Sequence, residues 1–147
     1  MNLQPLYDPF LTQPMRDELT SIGIKELRTA EEVDETLKLS GTTMVYVNSV
    51  CGCAAGGARP AMKIIMQNEI LPDRIVTVFA GQDREAVSRA REYFVGYPPS
   101  SPQVALLKDG KLIAMMQRQH IEGYPPEAIA TTLIDVINQV CVKEGSI

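Results

Sequence analysis

The chain has 147 residues, 45% of them hydrophobic and 22% charged, which is the size and composition of one ordinary globular domain. Its net charge of −4 excludes a general nucleic-acid binder, because such a protein presents a basic face to phosphates. No stretch approaches the roughly 20 continuous apolar residues of a membrane span, and no secretory signal is visible at the N-terminus. We therefore expect a single domain over residues 1–147, located in the cytoplasm.

The first third of the chain predicts two helices and a buried strand. Residues 14–22 carry apolar side chains at spacings of three and four, so we predict a short helix there, after a surface segment at 1–12. The capping box Thr29-Ala30-Glu31-Glu32 begins a second helix that extends to about Leu39. Residues 42–50 are rich in valine, threonine, methionine and tyrosine with little alternation, which is typical of a strand buried on both faces of a parallel sheet.

A β-α-β unit occupies the middle of the chain. The strand at 42–50 is followed by a predicted helix at 61–69 and a second buried strand at 74–80. Such a unit requires a parallel pair of strands joined by a right-handed crossover. Asp83 can then cap a helix that extends through Phe94.

The C-terminal third adds a hairpin and a helix. Strands are predicted at 104–107 and 112–116, joined by the tight-turn signal Asp109-Gly110, and a final helix at 126–142. The whole order predicts an α/β fold, with a central mixed four-stranded sheet flanked by helices and extra helices at the N-terminus.

The motif Cys51-Gly52-Cys53 lies where the first buried strand gives way to a helix. Sites in α/β sheets form beyond the carboxyl ends of parallel strands, so the motif and the architecture select the same place. A helix N-terminus stabilises a thiolate through its free N–H groups. We therefore predict Cys51 as the attacking nucleophile and Cys53 as the resolving thiol, with Gly52 allowing the bend that brings two near-adjacent sulfurs together.

Other residues offer weaker signals. A zinc or iron–sulfur site needs three or four soft ligands, and outside the motif only Cys141 and His120 could serve. No metal site is therefore predicted. A metal carrier that uses the Cys-x-Cys pair stays as an alternative. Cys141 is expected in the core of the last helix and His120 on the surface. Arg59 could pair with a thiolate or a substrate carboxylate, and a solvated arginine is the alternative.

The sequence also resembles a known family. Residues 47–56, Val-Asn-Ser-Val-Cys-Gly-Cys-Ala-Ala-Gly, followed by Ala58-Arg59-Pro60-Ala61, resemble the bacilliredoxin family of bacterial thioredoxin-fold proteins. Further similar segments cover nearly the whole chain: 14–20, 78–83, 91–94, 99–102, 105–108 and 121–123.

The resemblance implies a thioredoxin-like fold and a cytoplasmic enzyme that removes bacillithiol from protein mixed disulfides. Disulfide isomerase activity is also attributed to the family. The partners it implies are bacillithiolated or disulfide-containing proteins, not nucleic acid or membrane, with bacillithiol as the small-thiol co-substrate and no bound cofactor. The attacking cysteine of the family falls on Cys51.

Thioredoxin-like proteins place a cis-proline opposite the active site, and Ser101-Pro102 stands in that position here. We therefore predict that Pro102 is cis and in contact range of Cys51, and we assign Gly52, Ser101, Pro102 and Arg59 to substrate binding. Two other classes remain open: a metal or iron–sulfur carrier that uses the cysteine pair, and a thioredoxin-fold binding module without catalytic activity.

Overall fold

The structure, a computed structural model, describes residues 4–141. Its helices and strands are α1 Pro9–Thr20, β1 Lys25–Glu26, α2 Ala30–Leu37, β2 Thr42–Asn48, α3 Arg59–Ile65, β3 Arg74–Phe79, α4 Arg84–Glu92, β4 Gln103–Lys108, β5 Lys111–Met116 and α5 Pro126–Val140. A π-helical turn, Ala54–Ala58, precedes α3, and a short 3-10 turn, Arg118–His120, follows β5.

The described strands form one mixed sheet in the order β1-β3-β2-β4-β5. β2 pairs in parallel with β3 and antiparallel with β4, as the β-α-β unit and the following hairpin predict. The sheet has five strands rather than the predicted four, because the two-residue β1 pairs in parallel with Val76 and Thr77 of β3. Two residues are too few to show any periodicity, so the sequence gives no sign of this strand.

Both faces of the sheet are covered, which explains the continuous apolar run in β2. Met44 and Tyr46 point into a cluster with side chains of α1, α3 and α5, while Val45 and Val47 point into a second cluster with side chains of α2 and α4. Every residue of β2 is buried. The prediction of a strand buried on both faces is confirmed.

The start of α1 corrects the predicted surface segment. The helix begins at Pro9 rather than at 14, because Asp8 caps it by accepting the backbone N–H of Phe10, and Pro9 fills the first turn. Pro14 therefore lies inside the helix, not at its start. Ahead of the helix, the Leu6 N–H donates to the carbonyl oxygen of Gly81 at 2.7 Å.

Three other local predictions have mixed outcomes. The capping box of α2 is confirmed, with Thr29 and Glu32 bonding each other's backbone. The Asp109-Gly110 turn is confirmed, because both residues have the positive φ of a tight hairpin. Asp83 precedes α4 but its side chain does not cap the helix; it binds Arg16 at 2.7 Å instead.

The predicted helix boundaries around α3 and α5 also shift. α3 ends at Ile65 rather than 69, and its helical path begins before Ala61, through the π-helical turn. α5 ends at Val140, and position 142 of the predicted helix lies outside the described residues.

Candidate active site

The cysteine motif lies at the carboxyl end of β2, as predicted. The Ala80 N–H donates to the carbonyl oxygen of Asn48 at 2.9 Å, which marks the last link between the parallel strands. The chain then passes through Ser49 and Val50 and becomes helical at residue 52. Cys51 and Cys53 are both half-buried free thiols. The motif is thus both at the edge of the sheet and at the start of a helical segment.

Backbone N–H groups fix the position of Cys51. Its own N–H donates to Ser49 Oγ at 2.9 Å, and its carbonyl oxygen accepts from Ala54 and Ala55. The Cys53 N–H points back at the Cys51 sulfur, 3.3 Å away. This turn gives the first sulfur an N–H donor, which stabilises a thiolate.

The two thiols differ in acidity. Burial acts to raise the pKa of Cys51, but hydrogen bonds from the Cys53 side chain and from the backbone N–H groups of Cys53 and Ala54 outweigh it and lower that pKa. Burial raises the pKa of Cys53 to about 11, and the neighbouring Cys51 sulfur adds to the effect. The pair therefore loses its first proton at Cys51.

Arg118 is a charged neighbour of the pair that is not among the residues predicted from the sequence. Its positive charge lowers the pKa of both cysteines. The guanidinium donates to Glu122 Oε2 at 2.9 Å and lies 3.5 Å from the carbonyl oxygen of Ser101. Arg118 follows β5, whose end lies at the same edge of the sheet as the end of β2, so the strand order alone would have placed it near the motif.

Replacing Arg118 with glutamine should raise the pKa of Cys51, because a positive charge that favours its thiolate is lost. We expect alkylation of Cys51 near neutral pH to slow by about two- to fivefold, the size expected of a solvent-screened charge. Above the pKa of Cys51 in both proteins, the rates should converge. Peptide mapping of alkylation between acidic and alkaline pH measures this.

Glu122→Gln is the matched control, because it removes the partner of Arg118 and keeps the guanidinium. It should not raise the pKa of Cys51. An Arg118→Gln protein with the wild-type pH curve, or a Glu122→Gln protein with the same slowing, would contradict the role given to the Arg118 charge.

Arg59 is buried, so the alternative of a solvated arginine is wrong. Only 2% of the residue is exposed. Its Nε donates to Glu18 Oε2 at 2.8 Å, and its Nη1 donates to Asn48 Oδ1 at 3.1 Å and to the carbonyl oxygen of Ser49 at 2.8 Å. These bonds direct the guanidinium at the end of β2, not at an incoming substrate, which corrects the assignment of Arg59 to substrate binding. Arg59 braces the residues that hold Cys51.

The Ser101-Pro102 bond is cis, as predicted. Gln103, the next residue, pairs with Val47 of β2, so Pro102 comes beside the end of that strand. Pro102 is buried and Ser101 is half-buried. The register brings the proline and the motif to the same edge of neighbouring strands, and direct contact between Pro102 and Cys51 stays a prediction.

Polar side chains hold the loop that carries this proline. Gln117 Nε2 donates to the carbonyl oxygen of Pro98 at 2.9 Å, and its Oε1 accepts from Ser100 Oγ and from Gln103 Nε2. Arg91 donates to the carbonyl oxygen of Ser100 at 2.8 Å. These contacts join the loop to β4 and to the end of β5.

His120 is on the surface as predicted, and Cys141 is buried as predicted but follows the end of α5 instead of lying within the helix. His120 is exposed, and its Nδ1 accepts the N–H of Gln117 at 3.1 Å. Cys141 is 7% exposed and its thiol interacts with Thr42, at the opposite end of β2 from the motif. Within residues 4–141, no group of three or more histidine, cysteine or acidic side chains is arranged to hold a metal.

Several solved structures that share this fold are thioredoxins. The oxidised mitochondrial thioredoxin 3 of Saccharomyces cerevisiae aligns with a TM-score of 0.56 at 22% identity, over 83% of this chain and 98% of that one. The thioredoxin of Fasciola hepatica aligns with a TM-score of 0.56 at 21% identity, over 80% and 99%. Both likenesses concern the fold, and this chain carries two free cysteines at the edge of the sheet where β2 ends. The class is that of the thiol–disulfide oxidoreductases.

Relatives in sequence narrow that class. Residues 7–141 match the profile of a family described as disulphide isomerase. A bacilliredoxin of Staphylococcus aureus (strain NCTC 8325) is 52% identical over 136 residues, which are 92% of this chain and 94% of that protein. A bacilliredoxin of Geobacillus kaustophilus is 53% identical over 137 residues, 93% and 94% of the two chains. The chain belongs to the bacilliredoxin family.

In the described part of the chain, no helix has the length and apolar character needed to cross a bilayer.

Proposed function

We propose that this oxidoreductase removes bacillithiol from proteins that carry it as a mixed disulfide. The unequal acidity of the two thiols carries the proposal: the surroundings of Cys51 lower its pKa despite its burial, and burial raises the pKa of Cys53 to about 11. Cys51 is thereby favoured as the nucleophile, and Cys53 is left to attack the mixed disulfide in the second step. The name bacilliredoxin, borne by relatives 52% identical to this chain, points to bacillithiol as the small thiol.

The first step is an exchange between a thiolate and a disulfide. Cys51 Sγ attacks the bacillithiol sulfur, a new S–S bond forms on Cys51, and the bond to the modified protein breaks. The electron pair leaves with the protein's cysteine, which is released as a thiolate and takes up a proton. One disulfide is exchanged for another, so no external oxidant or reductant is consumed.

The second step restores the small thiol. Cys53 Sγ attacks Cys51 Sγ, bacillithiol departs, and an internal Cys51–Cys53 disulfide remains. A reducing thiol or dithiol then returns the pair to its starting state. The short loop between the two cysteines makes this attack intramolecular, which offsets part of the slowing that the high pKa of Cys53 causes.

Substrate approach is proposed over Gly52 and Ser101. Gly52 is exposed, and a Cβ placed on it would meet no atom within 4 Å, so the space beside the motif is open. Ser101 is half-buried and precedes the buried Pro102. A neighbouring open cavity of about 440 Å³, lined by Arg118, Glu122 and Ser100 among others, has the volume of a small-molecule site. It is the proposed location of the bacillithiol moiety.

Disulfide isomerisation is a second proposed activity, and the high pKa of Cys53 favours it. An isomerase holds its mixed disulfide long enough for another thiol of the client to attack it, and a slow internal attack gives that time. The description of the matching family, disulphide isomerase, agrees with this activity. The proposed partners are therefore bacillithiolated or disulfide-containing proteins in a reducing cytoplasm.

The proposal is tested by following the small thiol. A target protein with one bacillithiolated cysteine is mixed with the reduced protein, and both intact masses are measured over time. We expect the target to lose the bacillithiol mass while this chain gains it transiently. The same target carrying glutathione is the control for small-thiol preference. Absence of exchange with both targets would contradict an oxidoreductase role and favour the binding-module alternative.

A further inference from the structure

Tyr46 carries a buried hydroxyl without a hydrogen-bond partner. The residue lies in the middle of β2 and is 0% exposed. Among the buried side-chain oxygens and nitrogens of residues 4–141, only Tyr46 Oη and Glu85 Oε1 lack a partner. An unpartnered hydroxyl in a core destabilises the fold, and phenylalanine would fill the same space without that cost. The hydroxyl therefore requires an explanation.

The position of Tyr46 connects it to the cysteine pair. Side chains alternate along a strand, so Tyr46 shares a face of β2 with Asn48, which binds Arg59 at the start of α3. Tyr46 also belongs to the apolar cluster against which Cys53 packs. The groups whose charges act on its hydroxyl are Arg59, Cys53, Glu18 and Cys51, and Cys53 has the larger effect of the two cysteines. Tyr46 and Cys53 thus pack into the same cluster on this face of the sheet.

The attack of Cys53 on the mixed disulfide would be helped by a hydrogen-bond donor next to the Cys53 sulfur. Cys53 must lose its proton before its sulfur can attack, yet the one side chain that partners this sulfur in the described structure is the Cys51 sulfur. That partner is occupied once Cys51 carries the small thiol. A hydrogen bond to an ionised sulfur is stronger than one to a neutral thiol, so a donor here would favour the ionisation of Cys53 that precedes its attack.

We propose that Tyr46 Oη donates a hydrogen bond to Cys53 Sγ while Cys53 resolves the mixed disulfide. The inference rests on the proposed function. Cys53 Sγ bonds to Cys51 Sγ, the bond from Cys51 to the small thiol breaks, and the electron pair leaves on the small thiol. The proton of Cys53 passes to that leaving sulfur, and Tyr46 keeps its own.

The Tyr46 hydroxyl is protonated, as a hydrogen-bond donor must be. Burial raises the pKa of its hydroxyl well above the usual range, and the charge of Arg59 opposes this only in part. The hydroxyl therefore remains protonated throughout the pH range in which thiols exchange.

The test is Tyr46→Phe, with the two exchange steps timed separately by quenched intact-mass analysis. The adduct should form on Cys51 at the wild-type rate. Its conversion to the internal disulfide should slow about tenfold, as expected when one hydrogen bond to an ionised atom is lost. Stability to denaturant should be unchanged or higher, because the ring remains and the unpartnered oxygen is gone. A merely structural role would not slow the second step alone.

Tyr93→Phe is the matched control. Its hydroxyl donates to Asp34 Oδ1 at 2.7 Å, in the contact between α2 and α4. This variant should lose stability and keep both exchange rates. If Tyr46→Phe resolves as fast as the wild type, the inference is wrong while the proposed function stands.

A second measurement does not depend on bacillithiol. In a Cys51→Ser background, the alkylation of Cys53 is followed against pH with and without Tyr46→Phe. The other charged groups that face these two side chains, Arg118, Glu122, Arg59 and Glu18, are unchanged. Loss of the hydroxyl should move the curve to higher pH. An unmoved curve overturns the inference, whichever small thiol the protein uses.

Discussion

The Cys51→Ser variant should transfer no bacillithiol from a modified protein, and the Cys53→Ser variant should accept it and retain it on Cys51. Attack needs an acidic, accessible sulfur, and Cys51 has a lowered pKa and the N–H of Cys53 at 3.3 Å. Resolution needs a second sulfur close by, which only Cys53 supplies within the motif. Intact-mass analysis after mixing with a thiolated target distinguishes a missing adduct from a trapped one.

The expected effects are large. Loss of the nucleophile should reduce transfer by at least about 1,000-fold, the scale seen when a nucleophile is removed from other enzymes. Cys141→Ser is the control thiol variant, because Cys141 is buried at the other end of β2 from the motif. It should alter neither step. An adduct that forms on Cys53 in the Cys51→Ser protein at the wild-type rate would reverse the assignment. Full transfer activity in both single variants would show that neither thiol of the motif is individually required.

The sequence predicts the architecture well where its elements are long. β2 and β3 are buried on both faces, and that burial leaves a continuous apolar run that cannot be confused with a loop. The hairpin turn is equally predictable from the sequence, because Asp109 and Gly110 both adopt the positive φ that these residue types tolerate. The position of the cysteine motif then follows from the parallel pair alone.

Short or irregular segments have no recognisable hydrophobic pattern in the sequence. β1 has two residues, and the π-helical turn Ala54–Ala58 consists of alanine and glycine, so neither carries a hydrophobic period. The start of α1 is missed for a different reason. Either Pro9 or Pro14 could stand in the first turn of the helix. Because Asp8 caps the helix, Pro9 is the one in the first turn.

The supporting residues of the site depend on which elements lie next to each other. Glu18 is 41 residues from its partner Arg59, and Arg118 meets the motif only because β5 ends at the same edge of the sheet as β2. The sequence alone predicts which sulfurs react, because the two cysteines are separated by a single residue in the chain. It does not identify Glu18, Arg118 or Tyr46, because the role of a single charged or aromatic residue depends on its neighbours in the folded structure.

Arg59→Met should both destabilise the protein and slow Cys51. The substitution keeps an unbranched apolar stem but removes three hydrogen bonds from a buried guanidinium. Asn48 and Ser49, both at most 5% exposed, then lose a donor that water cannot easily replace. We expect the free energy of unfolding to fall by about 2–4 kcal/mol, somewhat less than for a fully buried ion pair, because the Glu18 side chain is 34% exposed.

The effect on Cys51 follows from the same contacts. The Ser49 hydroxyl accepts the Cys51 N–H at 2.9 Å, and the Ser49 carbonyl oxygen is held by Arg59. Without that brace, the turn that aims the Cys53 N–H at the Cys51 sulfur is less well fixed, and the thiolate loses part of its stabilisation. Alkylation of Cys51 at neutral pH should therefore slow about tenfold, the size expected when a hydrogen bond to a charged group is lost.

Two companion variants separate charge from geometry. Arg59→Lys keeps a cation for Glu18 but cannot bind Glu18, Asn48 and Ser49 with one planar group, so it should recover part of the stability and little of the Cys51 rate. Glu18→Gln keeps the guanidinium and removes only a partly exposed carboxylate, so it should cost less than about 1 kcal/mol. Denaturant unfolding and Cys51 alkylation are measured on all three proteins. A full Cys51 rate in Arg59→Lys would show that the charge, and not the hydrogen-bonded brace, is what the site requires of Arg59.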